Sequence, residues 1–143
     1  MPDIKVPKRM LKGDEDANAE MQNEVILYQL LHRQLGQLSA EAESVERKLV
    51  EASATKQSLK ELQTPNDILM PIGSGCYVHG KFANAKHVLV DIGAGVLLSK
   101  STDDANSFIS GREAEIAKLK ADLQGEAEKV AREMNSIVSK IRK

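Results

Sequence analysis

PIGSGCYV at residues 71–78 and DIGAGVLL at residues 91–98 are the two stretches that decide the fold, and the second repeats the pattern of the first twenty positions later. In each stretch, strand-forming residues precede two glycines separated by one residue, and further strand formers follow. Glycine reaches positive φ without a Cβ clash, so Gly73-Ser74-Gly75 and Gly93-Ala94-Gly95 are suited to hairpin turns. The sequence therefore predicts two tandem β-hairpins within residues 68–99, joined near Ala83-Asn84-Ala85.

The composition around these hairpins favours long helices over a large globular core. The chain has 143 residues with 3% aromatic and 29% charged residues, and the charges fall in long periodic segments. A net charge of −1 gives no electrostatic reason to expect a nucleic-acid partner. One cysteine excludes an internal disulfide, and no apolar run approaches the roughly 20 residues that span a bilayer. We therefore expect a soluble, cytoplasmic protein without a membrane segment.

The first predicted helix covers residues 14–63 and follows a flexible basic arm at residues 1–13, for which a short nucleic-acid-binding tail is an alternative. Apolar residues in this helix recur at heptad positions a and d, a pattern typical of a coiled coil. Position a holds Tyr28, Leu35, Ala42 and Leu49, and position d holds Leu31, Leu38, Val45 and Ala52. Lys56 interrupts the series at position a.

The second predicted helix covers residues 102–142 and carries two heptad rows of its own. One row is Ile109, Ile116, Leu123, Val130 and Ile137, and the adjacent row is Ala127, Met134 and Ile141. We expect residues 14–143 to form one α+β domain, a long antiparallel two-helix coiled coil with the hairpins between its helices. The predicted register pairs Leu31 with Ile141, Leu35 with Ile137, Leu38 with Met134, Ala42 with Val130, Val45 with Ala127 and Leu49 with Leu123, and it places Lys120 opposite Ala52.

Two regions carry more apolar residues than one coiled coil needs. Strand segments such as Val88-Leu89-Val90 are apolar on both faces, which predicts burial against other chains; packing onto the chain's own helices is the alternative. The segment Val25–Leu31 and the neighbourhood of Ile137 exceed the seam at the ends of the helices far from the hairpins. Exposed apolar surface there could grip unfolded chains, or it could widen the core or contact a neighbouring subunit.

Motifs for catalysis, metals or cofactors are weak. The glycine pairs lack the spacing and the lysine-serine ending of nucleotide-binding loops. Asp91 is interpreted as a turn residue, and Cys76 as a small buried apolar group. His79 and His87 could be neighbours across strands, but with Cys76 they make a poor zinc site. We therefore expect no enzyme activity, no cofactor and no metal.

The stretch ILMPIGSGCYV at residues 68–78, with Lys81, HVLVDIGAG at residues 87–95 and Lys100, resembles the signature of alpha-class prefoldin subunits. That class includes the archaeal alpha subunit and the eukaryotic subunit five. The similarity covers about residues 65–110, and two hairpins instead of one distinguish the alpha class from the beta class.

This resemblance implies an ATP-independent chaperone subunit, a holdase. Two alpha-class and four beta-class subunits would form a hexamer whose hairpins build a β-barrel platform. The coiled-coil tips would capture unfolded client proteins for delivery to a group II chaperonin. By the same resemblance, the assembly residues would be Ile72, Val78, Val88, Val90, Ile92, Val96 and Leu98. The client-contact candidates would be Val25, Ile26, Leu27, Leu30, Val138 and Ile141. The alternative function is a structural coiled-coil assembly or filament protein that binds no clients.

Overall fold

The computed structural model describes residues 8–82 and 86–143, in which two long helices flank four short strands. Helix α1 spans Lys8–Glu61, and strands β1 (Asn66–Gly73), β2 (Cys76–Phe82), β3 (His87–Asp91) and β4 (Leu97–Ser101) follow. Helix α2 spans Thr102–Ile141. This order confirms the predicted fold class of two helices with two hairpins between them. The expected junction at Ala83-Asn84-Ala85 lies outside the described residues, as do residues 1–7 of the expected arm.

Each pair of consecutive strands forms an antiparallel two-stranded sheet, β1 with β2 and β3 with β4. Both turns follow the same backbone path: φ is 113°, 49° and 76° through Gly73-Ser74-Gly75, and 122°, 52° and 74° through Gly93-Ala94-Gly95. Three successive left-handed residues are costly for side chains with a Cβ, which is why glycine occupies two of the three places. The sequence repeat is therefore a repeat of backbone geometry.

Helix α1 begins six residues earlier than predicted, at Lys8 instead of residue 14. Pro7 argues against helix within the arm, but a proline is compatible with a helix that starts directly after it. Gly13 lies inside α1 and costs the helix only about 1 kcal/mol relative to alanine. The boundary of the expected arm at residue 13 is therefore wrong for residues 8–13.

The predicted heptad positions form the seam between the helices. Of the residues predicted at position d of α1, Leu31, Leu38 and Val45 are buried and Ala52 is half-buried, and the four predicted at position a are half-buried. The buried apolar residues of the helices are Leu31, Leu38, Val45, Leu59, Ala105, Leu123, Val130, Met134 and Ile137. The period of 3.5 residues in the sequence thus located the core correctly.

The chain divides into two compact units, one made of α1 up to Glu43 with α2 from Ala121, and the other spanning Ser44–Lys120. In the first unit, Lys140 Nζ lies 3.6 Å from Glu24 Oε1, and Ile141 lines a groove with Met21 and Glu24. In the second unit, Lys56 Nζ lies 2.9 Å from Glu113 Oε2, and Lys120 pairs with Glu46.

These contacts correct the predicted helix register. Lys120 was expected opposite Ala52 and Ile141 opposite Leu31, but each lies about one heptad closer to the N-terminus of α1. A slide of one heptad returns every a and d residue to the seam, so apolar spacing alone does not choose between the two registers. In the observed register Lys120 has a carboxylate partner, whereas the predicted register left it facing an alanine.

Candidate functional site: two exposed apolar surfaces

The hairpins carry a large amount of exposed apolar side chain, which we call the hairpin surface. Its members are Leu69, Met70, Ile72, Tyr77, Val78, Leu89, Ile92, Val96, Leu97 and Leu98. Ile72 and Leu89 are the most exposed of them, at 68% and 67%. Of the predicted assembly residues, Ile72, Val78, Ile92, Val96 and Leu98 are exposed, while Val88 and Val90 are half-buried.

Strand register divides each hairpin into two faces, because side chains alternate along a strand and directly opposed residues share a face. In β1–β2, Met70 lies opposite Val78 on one face, while Pro71 lies opposite Tyr77 on the other. Both faces of this hairpin are therefore apolar and exposed. The assembly residues predicted on this hairpin are Ile72 and Val78, and Leu69, Met70 and Tyr77 were not among them.

In β3–β4 the two faces differ in their surroundings. Val88 lies opposite Lys100 on the first face, and Lys100 Nζ sits 5.5 Å from the centre of the Phe108 ring of α2. This face therefore turns toward α2, which accounts for the partial burial of Val88 and Val90. The opposite face presents Leu89 and Leu97, exposed to 67% and 58%. These two leucines were not among the predicted assembly residues, although both faces were predicted to be apolar.

The strand edges of both hairpins also carry unpaired main-chain groups. Within residues 8–82 and 86–143, each sheet contains two strands only, so each strand has one edge without a neighbour. Such edges template pairing with another chain. Two-stranded hairpins are marginally stable by themselves, so both the edges and the apolar faces favour association.

A second apolar surface lies on the unit that contains the chain ends, and we call it the tip surface. It comprises Met21, Val25, Ile26, Leu27, Leu30 and Ile141, which are between 40% and 55% exposed. Val138, the remaining candidate for client contact, is half-buried. Two grooves meet here: Val25 and Ile26 line one with Met21, and Ile141 lines the other with Met21.

Met21 joins the two grooves and was missed by sequence analysis. Its position seven residues before Tyr28 continues row a of the heptad, which was the available signal. A side chain at that position is normally covered by the partner helix. Here it is 52% exposed, and it lines a groove with Ile141 of α2.

Groups with catalytic potential are engaged in local structure or lie apart. Asp91 Oδ1 accepts a hydrogen bond from the Gly93 amide at 2.8 Å, as expected for a turn residue. Cys76 is exposed, so its expected burial is wrong. His79 lies opposite Leu69 and His87 opposite Ser101, in different sheets, so the two histidines are not cross-strand neighbours. Among the described side chains, no group of three His, Cys, Asp or Glu residues could hold a metal.

Neither helix, over the part of the chain that the structure describes, is apolar enough along its length to cross a membrane. Two long helices joined by two hairpins with open edges define a class of double-hairpin coiled-coil subunits. A family model described as Prefoldin subunit matches residues 31–143. The chain belongs to the Prefoldin family, a family of chaperone subunits that form oligomeric assemblies with other prefoldin subunits. This confirms the resemblance seen in the hairpin sequences.

Curated relatives and a solved structure agree with this assignment. The chain is 31% identical over 113 residues to prefoldin subunit alpha of Methanoculleus marisnigri, covering 73% of this chain and 76% of that protein. It is 23% identical over 126 residues to prefoldin subunit alpha of Methanococcus vannielii, covering 88% and 86%. A cryo-EM structure of filamentous PFD from Methanocaldococcus jannaschii matches with a TM-score of 0.51 at 20% identity, over 86% of this chain and 98% of that one. At that identity the structural likeness establishes the fold alone.

Proposed function

We propose that the chain is the alpha-class subunit of an ATP-independent holdase. Its hairpin surface joins beta-class subunits, two alpha with four beta, in a β-barrel platform. Its tip surface captures non-native proteins, and the assembly delivers them to a group II chaperonin in the cytoplasm. In this proposal the chain needs no cofactor and has no enzymatic activity of its own.

The observation that carries the proposal is the tip surface. Val25, Ile26, Leu27 and Leu30 are adjacent on one helix and each is about half exposed. Burying such a side chain fully is worth roughly 1.5–3 kcal/mol, so a few partial contacts bind a client only weakly. Weak binding at each contact suits a holdase because clients vary and must be released. Several tips acting on one client raise the avidity without making any single contact strong.

The hairpin surface supports the assembly half of the proposal. Unpaired strand edges supply directional main-chain hydrogen bonds, and the faces around Leu89 and Leu97 supply apolar area. A partner that contributes hairpins of its own satisfies both needs at once. Beta-class prefoldin subunits are partners of this kind.

The first experiment removes the tip surface while leaving the hairpins intact. The variant Val25→Ser, Ile26→Ser, Leu27→Ser, Leu30→Ser is mixed with a beta-class partner, and two quantities are measured: the sedimentation mass and the suppression of aggregation of a chemically denatured protein. We expect the mass of the complex to be unchanged and the suppression to be lost.

A control variant changes exposed apolar residues elsewhere on the helices. Val50→Ser and Leu119→Ser are suitable because these side chains are 61% and 47% exposed and lie outside the tip surface. The control is expected to retain both assembly and suppression. Full suppression by the tip variant would overturn the client-binding role and favour the alternative function, a structural assembly or filament protein without clients. Failure of the wild-type chain to form a complex with the partner would overturn the assembly role.

A further inference from the structure

Hairpin β3–β4 is attached to α2 at its base without an intervening loop. β4 ends at Ser101 and α2 begins at Thr102. The Ser101 hydroxyl accepts a hydrogen bond from the Asp104 amide at 3.1 Å and so caps the helix. The Thr102 amide donates to the Lys86 carbonyl at 3.2 Å, which ties the start of the hairpin to the same junction.

A second attachment lies at the far end of the same hairpin. Arg112 Nη2 donates to the backbone carbonyl of Asp91 at 3.0 Å. Asp91 is the last residue of β3 and pairs with Leu97, the first residue of β4, next to the turn. Arg112 lies ten residues into α2, about 15 Å from the junction at 1.5 Å per residue. Four residues of strand cover about 13 Å, so the hairpin runs back alongside the first turns of α2.

The Phe108 ring lies between these two attachments and orients the arginine. The Arg112 guanidinium carbon lies 4.6 Å from the ring centre, and Lys100 Nζ of β4 lies 5.5 Å from it. Both distances are within the range of cation–π attraction. A planar guanidinium can stack on the ring while one of its N–H groups points at a carbonyl, and a lysine ammonium lacks this geometry.

The other hairpin is fastened differently. In the part of the chain that the structure describes, its side-chain hydrogen bond to a helix is at its base, where Asn66 Nδ2 donates to the Glu61 carbonyl at 3.2 Å. Among the described residues, β3–β4 is the hairpin with a side chain of α2 bonded at its turn end. The inclination of β3–β4 to α2 is thus set at two points along its length.

We infer that Arg112 is a positioning residue that sets the angle of hairpin β3–β4 to α2 so that assembly with other hairpins closes on itself. The inference rests on the proposed assembly function. Subunits that join through unlike surfaces close into a ring when the rotation between neighbours is correct, and otherwise they form open assemblies. An error in the hairpin angle is repeated at every copy of this subunit, so loss of the Arg112 contact is expected to favour open assemblies.

The test measures the hairpin angle and the assembly separately. In a Cys76→Ser background, spin labels are placed at Ser99 on the hairpin and Lys118 on α2, both exposed, and their distance distribution is recorded for the chain alone. The variants are Arg112→Ala, Arg112→Lys and Phe108→Leu, with Arg132→Ala, an exposed arginine of the same helix, as the control. We expect the three variants to broaden the distribution and the control to keep it narrow.

Sedimentation with the beta-class partner then shows whether the subunits form a closed assembly of one mass. We expect the variants at Arg112 and Phe108 to lose the discrete complex in favour of a spread of masses, while helix content by circular dichroism stays at the wild-type value. A narrow distribution and a discrete complex for Arg112→Ala would overturn the inference. If Arg112→Lys restores the narrow distance distribution and the discrete complex, the stacked guanidinium has no special role. Because the label distances are recorded without a partner, a wild-type chain that fails to assemble contradicts the proposed function and leaves the orientation result standing.

Discussion

The hairpin surface and the tip surface are both apolar and exposed, but they expose different chemistry. The hairpins present main-chain edges, and their turns hold three successive residues at positive φ. The tip presents side chains on continuous helices, in which the main-chain groups already bond to one another.

This difference indicates what each surface is able to recognise. Strand edges form hydrogen bonds of fixed direction and spacing, so they select a partner that has a strand in the matching register. Side chains such as Ile26 and Leu30 contribute hydrophobic contact, which is non-directional and scales with the area buried. The hairpins are therefore suited to a defined partner, and the tip to a variable one.

The largest expected effect comes from placing charges on the hairpin surface, which should abolish assembly. Leu89→Glu with Leu97→Glu places two carboxylates on the outward face of β3–β4, where assembly would bury them without partners. Removing a charge from water uncompensated costs several kcal/mol, so we expect complete loss of the complex with a beta-class partner by sedimentation.

The matched control for this variant is Val50→Glu with Leu119→Glu, which adds the same charge at exposed apolar positions of the helices. The control is expected to assemble normally. A full-sized complex formed by the Leu89 and Leu97 variant would show that the outward face of β3–β4 is not an interface.

Glycine substitutions compare the backbone of a hairpin turn with the backbone of a helix. Gly93 has φ of 122°, and Gly111 lies in the interior of α2; a Cβ at either position would meet no atom within 4 Å. Gly93→Ala therefore tests conformation alone, and we expect it to destabilise its hairpin by about 1–3 kcal/mol. Gly111→Ala is expected to stabilise the coiled coil by up to about 1 kcal/mol.

The two glycine variants are measured by the free energy of unfolding in urea and by assembly mass. Gly93→Ala is expected to weaken assembly as well, whereas Gly111→Ala is expected to raise the unfolding midpoint and leave assembly unchanged. Equal effects of the two substitutions would contradict a special backbone requirement in the turn.

The sequence predicted the fold well because its strongest signals are local. The two glycine pairs permit a turn at positive φ whatever surrounds them, and the heptads place residues such as Leu38 and Val130 on a seam at any register. The alignment of one helix against the other is not a local property, so the choice between two registers depended on the neighbours of Lys120 and Ile141. The contact between Arg112 and the Asp91 carbonyl is likewise not local, since 21 residues separate the two, so the sequence does not distinguish Arg112 from other exposed charged residues.

The candidate surfaces were predicted in part for the same reason. Periodicity indicated that residues 25–30 carry more apolar side chains than the seam needs. It could not show that Leu89 and Leu97 are more exposed than Val88 and Val90, because that depends on which face of the hairpin lies toward Phe108. Met21 was not predicted because its heptad position a indicates burial, whereas its exposure depends on how the two helices pack around it. These are tertiary relations between segments far apart in the chain.

The smallest expected effect comes from this last residue, Met21. It links the groove of Val25 and Ile26 to the groove of Ile141, so we expect it to contribute to client binding as part of the tip surface. Because Met21 is about half exposed, Met21→Ser removes part of the apolar area that binding would bury, about 1 kcal/mol or roughly fivefold in affinity.

The measurement is titration of the assembled complex with a denatured client, with Asn18→Ser, a polar change in the same groove, as the control. Met21→Ser is expected to weaken protection less than the fourfold serine variant and to leave the assembly mass unchanged. If Met21→Ser alone abolishes protection, the tip binds through a single pocket and not through many weak contacts. If it lowers the assembly mass instead, Met21 lies at a subunit interface, and the tip surface then contributes to assembly as well as to client binding.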